Sequence, residues 1–313
     1  MRPGHHNRRL MIEGVFPPLP TPFHDDGSLA IDRLRENVER LNPTGLSGYL
    51  ALGSNGEAFH VSPPEASQVF AAVAAAVAPG MTVLAGTGQL STWATIEMTQ
   101  RAADAGCHAA LVLPPFYYKG SMTNDALRRH FETVADASPL PVVLYNVPAT
   151  TGLSIPVEVI AALAKHRNVV GVKDSSGEVA RLADTVRLTR GGEPFSVLSG
   201  NFAATLPGLT FGVQGAILAV ANVAPRECVS LLALFREGRT AEAGELHLRL
   251  LPIAAAVTSK HGVPGLKAAL DLLGESGGPG FFGGRPRSPL LAVSPAVREE
   301  IGRTLREAAL LPA

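Results

Sequence analysis

One lysine of the sequence stands where a nucleophile for carbonyl chemistry would be expected. Lys173 ends the apolar run Val169–Val172, and of the five lysines only this one ends such a run. Because burying an ammonium group is costly, a lysine there tends to lose its proton or to gain a partner. A neutral amine attacks carbonyl carbons, but pairing with Asp174 or extension into solvent would fit the residues equally well. Lys119, in a loop beyond another apolar run, is the rival nucleophile.

Polar residues also follow other apolar runs. Tyr145 ends one, and its phenol could carry protons, although for such a tyrosine taken alone the more common role is a ring in the core with its hydroxyl at the rim. The segment Gly53-Ser54-Asn55-Gly56 offers backbone N–H groups, a hydroxyl and an amide. Such a turn can bind a carboxylate, although glycine, serine and asparagine are also common in turns without a ligand.

The elements that would position these residues alternate regularly along the chain. Eight β-like runs, most of them almost continuously apolar, suit parallel strands buried on both faces. They are Glu13–Phe16, Gly48–Leu52, Met81–Ala85, His108–Leu113, Pro141–Tyr145, Val169–Lys173, Phe195–Leu198 and Gly215–Val220. Helix-compatible segments separate them, as where Ser62 and Glu65 form a capping box. The alternation predicts a (β/α)8 TIM barrel, with its active site at the carboxyl ends of the strands.

Three regions are predicted along the chain. Residues 1–11 are expected to be a disordered leader, residues 12–223 the barrel, and residues 224–313 a C-terminal helical extension. The extension contains four helix-like segments, namely Pro225–Glu237, Thr240–Leu251, Pro264–Leu273 and Ser294–Ala309. A stretch rich in glycine and proline, Gly274–Pro289, predicts a loop between the last two. A doubly wound open sheet is the alternative to the barrel, but no GxGxxG follows the first strand.

The composition excludes several classes of function. Twenty-seven basic residues balance 27 acidic ones, which argues against a nucleic-acid or anionic-membrane surface. No apolar run is long enough for a membrane span. Cys107 and Cys228 form no metal-spaced motif, and the histidines form no HExxH, so neither a disulfide framework nor a metal site is predicted. The N-terminus lacks the apolar core of a secretory signal, so we expect a cytoplasmic protein.

These residues, taken together, resemble a known superfamily. Gly53–Glu57, Tyr145–Pro148 and Gly171–Asp174 are similar to the GxxGE, YNxP and GxKD motifs of the pyruvate-dependent aldolases and lyases. That superfamily includes dihydrodipicolinate synthase and N-acetylneuraminate lyase. Three motifs in order, each at a predicted strand end, are far more specific than any one of them. The similarity runs from about Gly14 to Val223, and more loosely beyond.

The resemblance implies a role for each matching residue. Lys173 would form an imine with the keto carbon of pyruvate, Tyr145 would transfer protons, and Ser54 would relay them to a second tyrosine. That tyrosine would come from a neighbouring subunit of a homotetramer built from two tight dimers, and Tyr117 matches its place. The substrate-binding residues implied are Ser54, Asn55, Ser175 and Ile217, the last through its main-chain carbonyl. Neither a metal nor an organic cofactor is implied.

Within the superfamily, the sequence most resembles 4-hydroxy-2-oxoglutarate aldolase. The segments that carry this resemblance are Gly53–Glu57, Tyr117–Gly120, Ala255–Thr258 and Gly262–Lys267. The resemblance implies cleavage of 4-hydroxy-2-oxoglutarate to pyruvate and glyoxylate. The alternatives are 4-hydroxy-tetrahydrodipicolinate synthase, which condenses pyruvate with aspartate semialdehyde, and another 2-keto acid lyase or dehydratase. A silent binding protein is disfavoured, because Lys173, Tyr145 and Ser54 are all present.

Overall fold

Eight short parallel strands form the centre of the molecule. The computed structural model describes residues 9–276 and 280–312. The strands are β1 Gly14–Phe16, β2 Gly48–Ala51, β3 Thr82–Gly86, β4 Ala109–Val112, β5 Val142–Asn146, β6 Val169–Asp174, β7 Ser196–Ser199 and β8 Gly215–Ile217. They pair in the order β1-β8-β7-β6-β5-β4-β3-β2. Backbone N–H groups of Ser47 and Leu50 donate to the carbonyls of Val15 and Pro17, each at 3.0 Å. The sheet therefore closes between β1 and β2, which confirms the predicted barrel.

Helices follow the strands and cover the outside of the barrel. Around the barrel lie α1 Ile31–Leu41, α2 Pro63–Ala76, α3 Thr92–Asp104, α4 Asn124–Ala137, α5 Pro148–Thr151, α6 Val157–Leu163, α7 Val179–Thr189 and α8 Phe202–Thr210. The C-terminal helices are α9 Pro225–Arg236, α10 Thr240–Ala255, α11 Gly262–Glu275 and α12 Pro295–Glu307. The capping box at Ser62 and Glu65 is present, so the start of α2 was predicted correctly.

Two apolar clusters hold the strands and helices together. Side chains from all eight strands form one of them, which therefore fills the barrel. Its strand members are Phe16, Leu50, Leu84, Ala109, Leu111, Val143, Tyr145, Val170, Leu198 and Ile217. The other, larger cluster joins the outer faces of the strands to the helices. Since parallel strands are buried on both faces, this arrangement explains their almost unbroken apolar sequence.

The boundaries of some elements differ from the sequence prediction. The last strand ends at Ile217, because the chain turns into a 3₁₀ helix, Ala219–Asn222. Helix α10 continues to Ala255 and then into a π-helical turn, Ala256–Lys260. Helix α11 begins at Gly262 and not at Pro264. Pro264 fits inside the first turn, because the N–H groups of that turn have no intrahelical partner and a proline there removes no hydrogen bond.

Two of the predicted irregular segments lie partly outside the described residues. Of the expected leader, residues 1–8 lie outside them, while the guanidinium of Arg9 donates to the carbonyl of His166 at 2.6 Å. Of the predicted loop 274–289, residues 277–279 lie outside, and residues 280–289 contain neither helix nor strand. In the part of the chain that is described, no helix has both the length and the apolar character needed to cross a membrane.

Both cysteine side chains are buried as free thiols. Cys107 and Cys228 form no disulfide. Burial raises the pKa of Cys107 to about 12 and also raises the pKa of Cys228. Because the thiolate is the reactive form, neither residue is suited to nucleophilic chemistry at neutral pH.

A buried histidine of α4 should make stability depend on pH. Nδ1 of His130 lies 2.8 Å from the hydroxyl of Thr92, and burial lowers the pKa of His130 to about 4. The unfolded chain binds this proton below about pH 6.5, whereas the folded chain does not until about pH 4. The free energy of unfolding should therefore fall by about 2 to 3 kcal/mol between pH 7 and pH 4.5 from this group.

Urea unfolding at the two pH values measures this effect. Carboxylates titrate in the same range, so the comparison is between the native protein and His130→Gln, which keeps a polar group but cannot take up the proton. The variant should lose less stability on acidification, by about 2 to 3 kcal/mol. An identical pH dependence in both proteins would show that His130 does not stay neutral in the fold.

Candidate active site

A cavity at the carboxyl ends of the strands contains most of the residues predicted to act. Its volume is about 410 Å³. The predicted residues that line it are Ser54, Asn55, Tyr145, Lys173, Ser175 and Ile217. They come from distant parts of the sequence, and the ends of β2, β5, β6 and β8 bring them together. A larger cavity, of about 810 Å³, lies outside the barrel beside α11 and contains none of these six.

Lys173 lies in the wall of the cavity, on β6. It pairs in register with Tyr145 on β5, and its Nζ atom lies 4.3 Å from the centre of the Tyr145 ring. The lysine side chain is 3% exposed. Because Lys173 lines the cavity, its amine can meet a small carbonyl compound that enters there.

The carboxylate next to Lys173 in sequence has other partners. Oδ2 of Asp174 accepts from Nε of Arg181 at 2.7 Å and from the side-chain amide of Asn146 at 3.0 Å. Successive residues of a strand point to opposite sides, so Asp174 faces the helices while Lys173 faces the cavity. Among the described residues, no carboxylate lies within ion-pair distance of Lys173. The pairing of Lys173 with Asp174, which the sequence left open, does not occur.

The position of Tyr145 is compatible with both roles that the sequence left open for it. Its ring belongs to the apolar cluster inside the barrel, and its hydroxyl lies 3.3 Å from Oγ of Ser54. Ser54 begins a short 3₁₀ turn, Ser54–Gly56, in the loop after β2. A proton on the phenol therefore has a second hydroxyl within hydrogen-bond distance.

One glycine of the site was not among the residues predicted to act. Gly200 follows β7 and lines the cavity. A Cβ atom there would lie 1.9 Å from Oγ of Ser175 and 2.9 Å from Cε of Lys173. Only glycine leaves space for both side chains, so Gly200 keeps the lysine free to reach into the cavity. The sequence signal was a glycine directly after an apolar strand.

Two residues of the fourth β–α loop do not reach the cavity. Tyr117 is 70% exposed, and its ring stacks edge-on against Tyr118, with 5.0 Å between ring centres. Lys119, the rival nucleophile, is exposed and lies in a short 3₁₀ helix. Within one chain, neither residue joins the group around Lys173.

The C-terminal extension supplies part of the cavity wall, which the sequence did not predict. The residues it contributes are Leu251, Ala254, Ala255, Thr258, Ser259, Gly262 and Val263. Two of them, Thr258 and Ser259, lie on the π-helical turn, and such turns are frequent at functional sites. Among residues 9–276 and 280–312, no three His, Cys, Asp or Glu side chains come close enough to hold a metal ion.

A family model matches almost the whole chain. The model of the dihydrodipicolinate synthetase family covers residues 11–308. The chain belongs to this family. The match confirms the predicted superfamily of pyruvate-dependent class I aldolases, and it identifies the protein as a carbon–carbon lyase.

Relatives within the dihydrodipicolinate synthetase family cover most of the chain. A 4-hydroxy-tetrahydrodipicolinate synthase from Methanothrix thermoacetophila is 41% identical over 269 residues, which are 86% of this chain and 90% of the relative. The crystal structure of a dihydrodipicolinate synthase from Thermotoga maritima superposes with a TM-score of 0.88 at 30% identity, covering 96% of this chain and all of the other. A prophage protein of the same family from E. coli K12, in complex with pyruvate, gives a TM-score of 0.87 at 30% identity and the same coverage.

Proposed function

We propose that the protein is a Schiff-base aldolase in which Lys173 forms an imine with the keto carbon of pyruvate. The observation that supports this most is the position of the buried lysine, which faces the cavity beside Tyr145 with its neighbouring carboxylate paired elsewhere. Condensation of the amine with the keto group releases water. The protonated imine then withdraws electrons from the adjacent carbon, so no metal or organic cofactor is needed for this step.

The other residues around the cavity divide the remaining tasks. In cleavage of 4-hydroxy-2-oxoglutarate, Tyr145 takes the proton of the 4-hydroxyl as the bond between C3 and C4 breaks. The electron pair of that bond passes to the imine nitrogen, leaving an enamine and releasing glyoxylate. Protonation of the enamine at C3 and hydrolysis then release pyruvate. Ser54 relays the proton, the backbone around Ser54 and Asn55 holds the pyruvate carboxylate, and the carbonyl of Ile217 faces the imine.

The choice of second substrate rests on Thr150. In dihydrodipicolinate synthases, the residue five positions after the YNxP tyrosine is an arginine, which is implied to bind the carboxylate of aspartate semialdehyde. Here that residue is Thr150, which lines the cavity, and no described residue lining the cavity is an arginine. A threonine cannot replace a bidentate charged group. We therefore propose glyoxylate as the aldehyde partner, with Asn55 and Ser175 as neutral donors to the distal carboxylate.

A second candidate function is supported by the comparisons. The relative from Methanothrix thermoacetophila carries the name 4-hydroxy-tetrahydrodipicolinate synthase, so condensation of pyruvate with aspartate semialdehyde is the alternative. It shares the imine of Lys173 and the proton transfers of Tyr145. For the residues of the cavity, the two functions differ in which second substrate must be held.

Specificity constants for the two aldehydes, with pyruvate held constant, distinguish these functions. We expect a higher kcat/KM with glyoxylate. A charge-assisted hydrogen bond contributes roughly 1.5–3 kcal/mol, so its absence should lower use of aspartate semialdehyde by about tenfold or more. Thr150→Arg should recover part of that loss, while Thr150→Val should not. More efficient turnover of aspartate semialdehyde by the native protein would instead establish the synthase.

A homotetramer would bring Tyr117 to the site of a neighbouring subunit. The exposed aromatic pair Tyr117 and Tyr118 is the kind of surface that is enriched in protein interfaces. We expect light scattering to show an assembly of four chains, and Tyr117→Phe to lower kcat by removing one hydroxyl from the proton relay. Tyr118→Phe is the matched control and should stay active. A fully active monomer at the assay concentration would contradict this arrangement.

We also expect the enzyme to act in the cytoplasm.

A further inference from the structure

Two of the sequence segments that carry the family resemblance meet in the interior. Glu57 ends the turn that begins at Gly53, and Lys267 lies in α11 of the C-terminal extension. The Nζ atom of Lys267 lies 2.5 Å from Oε1 of Glu57, and both side chains are 1% exposed. Because the loss of hydration can exceed the attraction between two buried charges, stability alone is a weak explanation for the pair.

The backbone of Glu57 has an unusual conformation that its side chain holds in place. Its φ angle is 56°, in the left-handed region that residues other than glycine rarely adopt. Oε2 accepts from the backbone N–H of Arg287 at 2.8 Å and lies 3.0 Å from Nδ1 of His60. Among the described residues, Oε1 has only the ammonium of Lys267 as a partner. Both oxygens of the Glu57 carboxylate therefore have partners. Among the described residues, Oε1 is bound by the C-terminal extension alone, through Lys267.

The conformation of Glu57 is coupled directly to the turn that lines the cavity. Its backbone N–H donates to the carbonyl of Ser54 at 3.2 Å, and the hydroxyl of Thr21 donates to the carbonyl of Gly56 at 2.7 Å. Among the described residues, the side chains of Ser54 and Asn55 have no hydrogen-bond partner other than the Tyr145 hydroxyl, which lies 3.3 Å from Oγ of Ser54. Displacement of Glu57 would therefore move the backbone of Ser54 and Asn55, which line the cavity.

The ammonium group of Lys267 has two further contacts besides Glu57. Its ammonium donates to the carbonyl of Arg285 at 2.8 Å and lies 4.6 Å from the centre of the Phe23 ring. Burial lowers the pKa of Lys267, and the nearby Glu57 carboxylate opposes that shift. The lysine thus links three segments: the loop after β1, the turn after β2 and the C-terminal extension.

We infer that Glu57 and Lys267 form a positioning pair through which the C-terminal extension fixes the turn that binds the pyruvate carboxylate. The inference rests on the proposed function, since it assigns the 54–56 turn to that carboxylate. Neither residue lines the cavity that contains Lys173, so both act through Ser54 and Asn55. Loss of the pair should weaken pyruvate binding far more than it slows the step after imine formation.

The double variant Glu57→Gln/Lys267→Met tests this most sharply. It removes both charges at nearly constant volume, so no unpaired buried charge remains. We expect a folded protein whose KM for pyruvate rises about tenfold or more, with kcat changed by less than about threefold. Borohydride should still trap pyruvate on Lys173 at saturating concentration. Arg298→Met, which breaks an exposed ion pair with Glu275 in the same extension, should leave KM unchanged.

A milder variant covers the case in which the double variant does not fold. Glu57→Asp keeps the charge but shortens its reach, and it should raise the KM for pyruvate while kcat is largely retained. A folded double variant, or a folded Glu57→Asp, with the native KM would overturn the positioning role. The positioning role would also be overturned if the variants lost activity only in proportion to the fraction of protein that is unfolded. Failure of the native protein to form any pyruvate adduct would instead overturn the proposed function.

Discussion

Lys173→Ala is expected to lose pyruvate-dependent turnover by a factor on the order of 10⁴ or more, as when other enzymes lose their covalent nucleophile. The amine is the only group proposed to hold the electrons of the broken bond, so without it the reaction has no enamine intermediate. The fold should survive, because the change removes a buried amine at the end of a strand and creates no unpaired charge. Initial rates measure the loss, and circular dichroism verifies the fold.

Lys119→Ala is the matched control for this variant. Lys119 lies in the loop after β4, outside the cavity. Its loss should leave kcat within a few-fold of the native value. The reverse pattern, an active Lys173→Ala and an inactive Lys119→Ala, would move the nucleophile to the loop after β4.

Tyr145→Phe is expected to lower kcat by about 10² to 10⁴, the usual contribution of a positioned acid or base. The ring stays in the barrel cluster, because phenylalanine fills the same space, and only the hydroxyl that lies 3.3 Å from Ser54 is lost. Pyruvate should still form the imine, so trapping by borohydride persists while turnover falls. Ser54→Ala should have a smaller effect in the same direction.

The two hydroxyls should act as one unit. If Ser54 works through Tyr145, the double variant Tyr145→Phe/Ser54→Ala will be little worse than Tyr145→Phe alone. Fully additive losses would mean that the hydroxyls serve separate steps. A Tyr145→Phe variant with the native kcat would remove the phenol from the mechanism and leave only its packing role.

Much of the barrel follows from local sequence. Strands buried on both faces need almost continuous apolar runs, and the runs ending at Tyr145 and Lys173 are of that kind. Ser62 and Glu65 mark the start of α2, because capping depends on residues close together in the chain. Boundaries set by distant contacts were less predictable. The π-helical turn Ala256–Lys260 is an example, since no local pattern distinguishes it from a continuing α-helix.

The sequence could place the site residues that end strands. It could not show which charged side chains pair with one another. The carboxyl ends of parallel strands converge in a barrel, so Lys173 and Tyr145 could be placed together from their positions alone. The partner of Asp174 is Arg181, on the helix that follows. The partner of Glu57 is Lys267, more than two hundred residues away. Such pairs depend on how helices pack on the barrel, which no local pattern specifies.

Reductive trapping tests the central proposal most directly. The native protein is treated with pyruvate and borohydride together, and its peptides are analysed by mass spectrometry. The proposed imine predicts one carboxyethyl group, attached to the peptide that contains Lys173, with none formed when either reagent is omitted. An adduct on Lys119 instead, or no adduct at all, would contradict the assignment of Lys173 as the Schiff-base lysine.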